Sequence, residues 1–444
     1  MSDEKNQKRP YRPRPVSGFP EMLPEVRLAE LSFIDDIRKA FESFGFASIE
    51  TPAVEEIEVL LSKGETDKEI YILNRLQADE NDKDARLGLH YDLTVPLARY
   101  VAQHFGELTF PFKRYQIQKV WRGERPQEGR FREFTQCDID VINIDHLPLQ
   151  FDAEMPAIGY DIMRRRNIPD IVIKLSNRKI LAGFMEGLGT EKAGNAIRII
   201  DKLGKLPASE IGNLLRAECG MNDAAIAKCI DLADIRTQGT GFAARVRALG
   251  ISNPTLEAGI DELASVMDML RELPEGAIEA DLCIARGFDY YTGTVYEGKF
   301  TSYPDYPTIL AGGRYDDLAG SFINKKLPGV GISIGLSRMF PKLQQEGRLA
   351  IGRQCPTDIL VIAPSAERQG LALATSRVLR ARGFNVELFH MPGKLDRQLK
   401  YANKKSIPFV WFPPFEDGLA HEVKNMGTGQ QEKADPATWE MPNG

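Results

Sequence analysis

The side chains best suited to chemistry alternate along residues 122–140, in the two-residue period of a β-strand. In the second half of this stretch, one face of the predicted strand carries an arginine, an aromatic ring, an amide and two carboxylates: Arg132, Phe134, Gln136, Asp138 and Asp140. Such a mixture suits a nucleotide together with a small zwitterion better than it suits an apolar core. A solvent-exposed strand with cross-strand ion pairs is the simpler alternative.

Two further segments suit the recognition of a small charged substrate. Residues 89–96 read LHYDLTVP, and Asp92 could bind an ammonium group through a charge-assisted hydrogen bond. An aspartate that caps the following helix explains Asp92 equally well. Residues 285–297 read ARGFDYYTGTVYE and place Arg286 just before two tyrosines. Arginine stays charged and contacts two oxygens at once, so it suits the binding of an anionic group.

Glycine-rich sequence follows in AGGRYD at residues 311–316 and in GVGISIGLSR at residues 329–338. In both segments glycine would let the backbone lie close to a nucleotide. The second segment could be mistaken for a dinucleotide-binding fingerprint, but its spacing is wrong and no βαβ unit surrounds it. We therefore do not expect a Rossmann-type site.

Periodicity and turn signals predict the elements that position these residues. Apolar side chains at helical spacing before Gly45 indicate an amphipathic helix, and residues 46–51 a short strand. Residues 110–143 predict a long antiparallel hairpin with a charged loop that contains Gly129. Another strand is expected over residues 171–175.

The chain of 444 residues is 43% hydrophobic and 27% charged, which predicts two or three globular domains. Residues 177–279 have several helical stretches and few strand signals, strand-like sequence returns from Asp281, and strands alternate with helices beyond Pro356. The expected domains are a disordered basic tail (1–18), a main domain in two parts (19–176 and 280–350), an α-helical insertion (177–279) and a terminal α/β domain (355–444). A solubilising role explains the tail more simply than RNA contact.

Composition excludes some kinds of site and compartment. The sequence has no run of about 18 apolar residues, so we expect a soluble protein and no membrane. Five scattered cysteines without C-x-x-C spacing indicate neither a disulfide framework nor a zinc site, which suits the cytoplasm. A net charge of −6 weakens the case for an RNA partner, although a local basic patch could still supply phosphate contacts.

Together these segments resemble the class II aminoacyl-tRNA synthetases and, among them, the histidyl-tRNA synthetase family. Residues 122–140 are similar to the second class II motif, residues 89–96 to the family's amino-acid loop, and residues 329–338 to the third class II motif. Residues 286–293 resemble the R-G-x-D-Y-Y-T-G signature, which points to histidine. The resemblance implies an α+β fold: a class II synthetase-type antiparallel sheet flanked by helices, a helical insertion and a C-terminal α/β anticodon-binding domain.

The resemblance also implies roles for individual residues. The implied catalytic residues are Arg286, Arg122 and Gln136. Histidine would be bound by Asp92, Leu93, Thr94, Gln136, Asp140, Arg286, Tyr290 and Tyr291. ATP would be bound by Arg122, Glu124, Phe134 and Arg338. The acceptor end of the tRNA would contact Arg125, Gln127 and Arg130.

In this reading Arg122 binds the α-phosphate, Arg338 the γ-phosphate, and Phe134 stacks on the adenine that Glu124 faces. The imidazole would lie between Asp140 and Tyr291, in a polar site that needs no editing domain because it rejects isosteres strongly. The implied substrates are L-histidine, ATP with Mg²⁺ and tRNA(His); the sequence shows no dedicated magnesium or other metal site. The helix before Pro52 resembles the first class II motif and implies a homodimer.

Some residues depart from the family's pattern. His90 stands where related loops usually have arginine, and Ser337 where an acid commonly precedes the third-motif arginine. The connection at residues 412–415 is also unusual. Lys394, Arg397 and Lys400 recur near helical spacing, as either a phosphate-binding stripe or an ordinary solvated helix face.

Two other functions remain open. A catalytically inactive paralogue could act as the regulatory subunit of ATP phosphoribosyltransferase, although such paralogues typically lack the terminal domain and the motif arginines. A class II ligase for another amino acid would need a different pocket from Asp140, Tyr290 and Tyr291.

Overall fold

The computed structural model describes residues 12–62, 69–76, 86–165, 168–203, 206–284, 290–349 and 351–442. The chain forms two compact units: the larger contains the described residues up to Pro20 and from Ile34 to Arg348, and the smaller contains Glu21–Phe33 and the chain from Leu349 onwards. Among the helices of the described ranges, none has the length and apolar character needed to cross a membrane.

The larger unit contains twelve strands and eleven α-helices among its described residues, counting the helix that crosses its boundary. In chain order the strands are β1 Ala47–Ser48, β2 Val54–Glu56, β3 Ile72–Leu73, β4 Leu87–Leu89, β5 Phe112–Trp121, β6 Glu133–Ile142, β7 Ile171–Asn177, β8 Arg236–Thr237, β9 Ile278–Asp281, β10 Thr294–Phe300, β11 Leu310–Tyr315 and β12 Gly329–Ile334. The helices from the first to the eleventh are α1 Pro24–Ser43, α2 Ile57–Leu60, α3 Thr94–Gln103, α4 Gln150–Arg164, α5 Arg178–Gly187, α6 Ala193–Ile200, α7 Ala208–Cys219, α8 Asp223–Ala233, α9 Phe242–Ala248, α10 Pro254–Met269 and α11 Leu336–Gln345. The helix α1 extends across the sequence boundary between the two units.

A nine-stranded sheet forms the centre of the larger unit, with the spatial order β1-β5-β6-β12-β11-β10-β7-β9-β8. The pairs β1/β5 and β7/β9 are parallel and the other neighbours are antiparallel. The helix α4 packs on β7, β11 and β12, and α11 packs on β6. This mixed α/β architecture, a large antiparallel sheet flanked by helices, is the predicted fold class. A separate antiparallel sheet has the order β2-β4-β3.

The predicted hairpin is present: β5 and β6 pair antiparallel from Phe112 with Ile142 to Trp121 with Glu133. The predicted amphipathic helix corresponds to α1, which ends at Ser43 before Gly45 turns the chain with φ +80°. Residues 12–15 of the predicted tail have no regular structure, whereas the Gly18 carbonyl accepts hydrogen bonds from the amides of Arg132 (2.7 Å) and Glu133 (3.2 Å).

Residues 177–279 contain the helices α5 to α10, the short strand β8 and the start of β9. Three of these helices begin at asparagines whose side chains accept a hydrogen bond from a first-turn amide, namely Asn177, Asn222 and Asn253. The strand predicted after Asp281 is wrong for Leu282 and Cys283, which form a turn. The Asp281 carboxylate stabilises this turn by accepting a hydrogen bond from the Cys283 amide at 3.1 Å.

The smaller unit contains a five-stranded sheet of the order β14-β13-β15-β16-β17. Its strands are β13 Ile359–Val361, β14 Val386–Leu388, β15 Phe409–Phe412, β16 Glu422–Asn425 and β17 Gln431–Lys433. Its helices are α12 Gln369–Ala381 and α13 Leu395–Lys404. The three strands expected from the sequence pair in parallel, and β16 and β17 extend the sheet antiparallel. The sequence did not predict these last two strands.

Candidate active site

The loop of the β5–β6 hairpin contains a tight turn at residues 127–130. Gln127 and Arg130 exchange backbone hydrogen bonds of 3.2 and 2.9 Å, and Gly129 between them has φ +67°, which a side-chain-bearing residue rarely adopts. Arg130, Glu124 and Arg122 then line a pocket beside Phe134 of β6. Arg125 and Gln127 stay exposed on the loop.

This pocket is rich in cations, and we call it the arginine pocket after Arg122, Arg130 and Arg338. Arg338 is held by the backbone: its Nε donates to the Gly129 carbonyl at 3.0 Å and its Nη1 to the Thr308 carbonyl at 2.6 Å. Burial, together with the charges of the other two arginines, lowers the pKa of Arg338. Three like charges in one pocket favour a ligand with several negative charges.

Two further features give the arginine pocket its shape and charge. The guanidinium carbon of Arg122 lies 5.1 Å from the centroid of the Phe134 ring, and its Nε donates to the Tyr91 carbonyl at 3.0 Å. Glu124 pairs with Arg130 at 3.4 Å. The sequence analysis missed Glu69, whose pKa is raised by burial and by the nearby Glu124.

A second pocket adjoins the first, and we call it the carboxylate pocket after Asp138 and Asp140. The two pockets share Tyr291, Ala311 and Ser333 as lining residues. Thr94, at the start of α3, also lines the carboxylate pocket. Their common wall makes the two pockets adjoining compartments of one site.

Burial dominates the electrostatics of the carboxylate pocket. Asp138 and Asp140 are each 3% exposed, and Asp92, which precedes Thr94, is 1% exposed. Loss of water, the largest cause in each case, raises the pKa of Asp92 to about 6 and that of Asp140 to about 7, and it also raises the pKa of Asp138. Three buried carboxyls close together favour a ligand that brings N–H donors and positive charge.

Among the buried acceptor atoms without a hydrogen-bond partner in the described ranges, two belong to predicted site carboxylate and amide groups: Oδ2 of Asp92 and Oε1 of Gln136. The other oxygen of Asp92 accepts the Val95 amide at 3.1 Å, so this residue both caps α3 and keeps one oxygen for a ligand. Gln136 is oriented by its Nε2, which donates to Ser333 Oγ at 2.7 Å. The bond from the Val95 amide confirms the capping alternative for Asp92, whereas its binding of an ammonium group stays a prediction.

Asp140 has two protein partners that the sequence analysis missed. Its Oδ2 lies 2.5 Å from Nη2 of Arg114, and its Oδ1 accepts the Tyr315 hydroxyl at 2.9 Å. Arg114 faces Asp140 directly in the hairpin register. The sequence could have indicated this contact, because the predicted hairpin places a cation of its first strand opposite a predicted site carboxylate. Tyr290 packs edge-on against both Tyr291 and Tyr315.

The glycines of β12 make room for side chains of this pocket. A Cβ at Gly331 would overlap Oδ1 of Asp140, and one at Gly329 would overlap the ring of Tyr315. The sequence analysis attributed these glycines to a close approach of the nucleotide. In the structure they let the side chains of Asp140 and Tyr315 lie across the sheet.

The two residues that depart from the family's pattern have structural partners. Ser337 Oγ accepts the Thr135 amide at 2.9 Å and so connects α11 to β6. His90 is fully buried, its Nε2 lies 2.7 Å from the Lys119 carbonyl, and burial lowers its pKa. His90 lines neither pocket.

Of the other predicted site residues, Leu93 contributes its carbonyl to Arg114 Nη2 at 3.3 Å. Arg286 lies outside the described residues. Where side chains are described, no group of three or more His, Cys, Asp or Glu residues could hold a metal ion.

A large, mainly antiparallel sheet with flanking helices carries two adjoining pockets, one lined by arginines and one by carboxylates. This combination is that of a class II aminoacyl-tRNA synthetase. Sequence and structure comparisons narrow the class further.

Residues 18–339 match the family model described as histidyl-tRNA synthetase. The histidine–tRNA ligase of Thermobifida fusca is 58% identical over 98% of this chain and 99% of its own, and that of Micrococcus luteus is 45% identical over 96% of both. The crystal structure of histidyl-tRNA synthetase from Nostoc sp. PCC 7120 superposes with a TM-score of 0.84 at 36% identity, covering 96% of this chain and 97% of that one. The chain belongs to the histidyl-tRNA synthetase family, and these similarities do not favour the regulatory paralogue.

Proposed function

We propose that the protein activates L-histidine with ATP and then transfers it to the 3′ end of tRNA(His). The observation that carries this proposal is the common wall of the two pockets, formed by Tyr291, Ala311 and Ser333. A polyphosphate in the arginine pocket and an amino acid in the carboxylate pocket would meet along that wall. The relatives named as histidine–tRNA ligases support the same reaction.

The first step joins the two substrates. A carboxylate oxygen of histidine attacks the α-phosphorus of ATP, the bond from that phosphorus to the β-bridging oxygen breaks, and pyrophosphate leaves. In the second step a hydroxyl oxygen of the terminal ribose attacks the acyl carbon and gives up its proton, the bond from that carbon to the phosphate oxygen breaks, and AMP leaves with its electron pair.

For ATP we assign Arg122 to the α-phosphate and Arg338 to the γ-phosphate. Both guanidinium groups are oriented by backbone carbonyls, so they are placed before the ligand binds. Phe134 offers an aromatic face for the adenine, and Glu124 lines the same pocket. The family resemblance assigns Arg286 to the reacting carboxylate and α-phosphate.

For histidine we assign the ammonium group to Asp92 and Thr94, with the Leu93 backbone in the same loop. The unpartnered Oδ2 of Asp92 suits this task, because a charged donor would replace the water that burial has removed. Gln136 adds a second free acceptor in the arginine pocket. We assign the imidazole to the side chains of Asp140 and Tyr291, with Tyr290 packed behind.

We propose that Mg²⁺ accompanies ATP. Glu124 is the carboxylate that lines the arginine pocket, and the described residues form no metal-ligand cluster, so phosphate oxygens would supply most of the ligands. When bound, the ion would neutralise charge on the departing pyrophosphate.

For tRNA we assign the acceptor end to Arg125, Gln127 and Arg130 and the anticodon to residues 355–444. The exposed positions of Arg125 and Gln127 support the first assignment. Lys400 forms an exposed ion pair with Asp396 at 2.8 Å, which fits a solvated helix face better than a phosphate-binding stripe.

Two further assignments concern the protein as a whole. We propose a homodimer built on the helix before Pro52, which the molecular mass in solution would test. We also propose that the protein works in the cytoplasm, since all five cysteines are free thiols, as expected in a reducing compartment.

The deciding experiment is ATP–pyrophosphate exchange measured with each amino acid in turn, with Arg286→Ala as the inactive control. Exchange with histidine alone, lost in Arg286→Ala, is the expected result. Exchange with another amino acid would point to a different class II ligase. No exchange with any amino acid would favour the regulatory paralogue.

A further inference from the structure

Arg114 is a fully buried cation behind the carboxylate pocket, and it lines neither pocket. Its Nη2 lies 2.5 Å from Oδ2 of Asp140 and also donates to the Leu93 carbonyl at 3.3 Å. One guanidinium group therefore connects the strand that carries Asp140 to the loop that carries Asp92 and Thr94. In the proposed function, these two elements bind opposite ends of histidine.

The charges around Asp140 make Arg114 the cation on which its ionised state depends. Besides Arg114, Asp140 is faced by Asp138 of its own strand and, from neighbouring elements, by Asp92, Tyr291 and Tyr315. The negative charges of Asp138 and Asp92 raise the pKa of Asp140, whereas Arg114 lowers it more than any other neighbour. Without Arg114, burial and two like charges would leave the carboxyl protonated over most of the neutral range.

The geometry of Arg114 also indicates that this residue lowers the free energy of unfolding. Its Nε and Nη1 are buried and have no hydrogen-bond partner within the described ranges. A buried guanidinium with unmatched donors is costly for folding, and an apolar side chain of similar volume would remove that cost. This energetic cost points to a role for the charge of Arg114 beyond packing.

We propose that Arg114 is a positioning residue that sets the specificity of the site for neutral histidine. It keeps Asp140 ionised and at a fixed separation from the Asp92–Thr94 loop, so that Asp140 accepts an N–H from an uncharged imidazole. An imidazolium ring would instead bring a second cation beside the guanidinium. This inference rests on the proposed function, because it assumes that the pocket binds histidine.

The test compares Arg114→Met and Arg114→Lys with the native protein in ATP–pyrophosphate exchange, at varied histidine concentrations between pH 6 and 9. The methionine variant removes the charge at a similar side-chain length. The lysine variant keeps a positive charge but lacks the second donor group of the guanidinium. Lys113→Met is the matched control, since Lys113 is the adjacent cation on β5 and pairs with Glu154 at 3.2 Å rather than with Asp140.

We expect Arg114→Met to move the acidic limb of kcat/KM for histidine to higher pH by about one unit or more. Its KM for histidine at pH 7.5 should rise about tenfold, while KM for ATP stays unchanged. Arg114→Lys should recover most of the pH profile, and Lys113→Met should match the native protein.

An unchanged pH profile in Arg114→Met overturns the proposal, as does a parallel rise in KM for histidine and for ATP, which indicates a merely structural role. If Arg114→Met does not fold, as judged by circular dichroism, Arg114→Gln carries the same expectation because it keeps a polar donor without the charge. Failure of the native protein to exchange with histidine would instead reject the proposed function.

Discussion

The arginine pocket and the carboxylate pocket lie side by side but use opposite electrostatic strategies. In the arginine pocket the charges are permanent and partly hydrated: the Arg122 side chain is 18% exposed and that of Arg130 is 39% exposed. In the carboxylate pocket the charges are titratable and nearly dry, and the pKa values of Asp92 and Asp140 lie near neutrality.

This difference suits the two ligands assigned to the pockets. A polyphosphate carries several charges at any physiological pH, so fixed cations at the edge of the solvent are sufficient to bind it. A small amino acid must be distinguished from others of similar size, and a dry polar pocket discriminates strongly because a wrong ligand leaves buried groups unpaired. The cost of that discrimination is sensitivity to pH.

The largest expected effect comes from the arginine pocket. Arg122→Ala should lower the rate of ATP–pyrophosphate exchange by about 10³-fold, because a preorganised donor to the α-phosphate is lost. Arg125→Ala removes an equal charge from the exposed loop and should leave exchange unchanged. Equal losses in both variants would show that general positive charge, rather than placement in the pocket, is what matters.

A smaller effect is expected in the carboxylate pocket. Asp92→Asn keeps an acceptor for the Val95 amide but removes the negative charge, so KM for histidine should rise about 10- to 100-fold, the value of a charge-assisted hydrogen bond. KM for ATP should rise less than KM for histidine, because Asp92 does not line the arginine pocket and acts on it only through the charge of Arg122. A comparable rise in both constants would mean that the two pockets do not act separately.

The third prediction concerns pH. Asp92 and Asp140 have raised pKa values of about 6 and about 7, so the ionised forms that we propose to bind histidine are lost as the pH falls through this range. Between pH 7 and 6, kcat/KM for histidine should fall about tenfold, whereas KM for ATP should be nearly constant because arginines keep their charge. Steady-state kinetics at fixed ionic strength would measure both constants. An equal loss of ATP binding over the same pH range would contradict the electrostatic difference between the two pockets.

The smallest expected effect is on stability. Folding raises the pKa of Asp92 above its ordinary value of 3.8, so the proton stabilises the folded state; this contribution is complete below about pH 4 and is lost as the pH rises through about 6. At pH 8, Asp92→Asn should therefore be more stable than the native protein by about 3 kcal/mol, which corresponds to roughly 2 to 5 °C in Tm.

The two proteins should melt at nearly the same temperature at pH 4. Differential scanning calorimetry at both pH values would measure the two melting temperatures. A variant less stable at pH 8 would mean that the ionised carboxylate stabilises its surroundings, contrary to the electrostatic contrast between the pockets.

The strand period was enough to place Phe134, Gln136, Asp138 and Asp140 on one strand, because alternation is a property of neighbouring residues. Arg114 and Tyr315 were missed because they meet Asp140 only through hairpin register and through the pairing of distant strands. Similarly, the polar sequences of β16 and β17 have no apolar run, and they form strands because β15 offers an edge.

The glycines of β12 have a consequence for how this site can change by mutation. Because a methyl group at position 331 would occupy the space of the Asp140 carboxylate, substitutions at Gly331 and Asp140 are not independent. Each position limits the set of neighbours that the other accepts, and the same holds for Gly329 and Tyr315. A single substitution that adds a side chain at position 331 or 329 is therefore blocked while Asp140 and Tyr315 keep their places, and it would require a matching change on the adjacent strand.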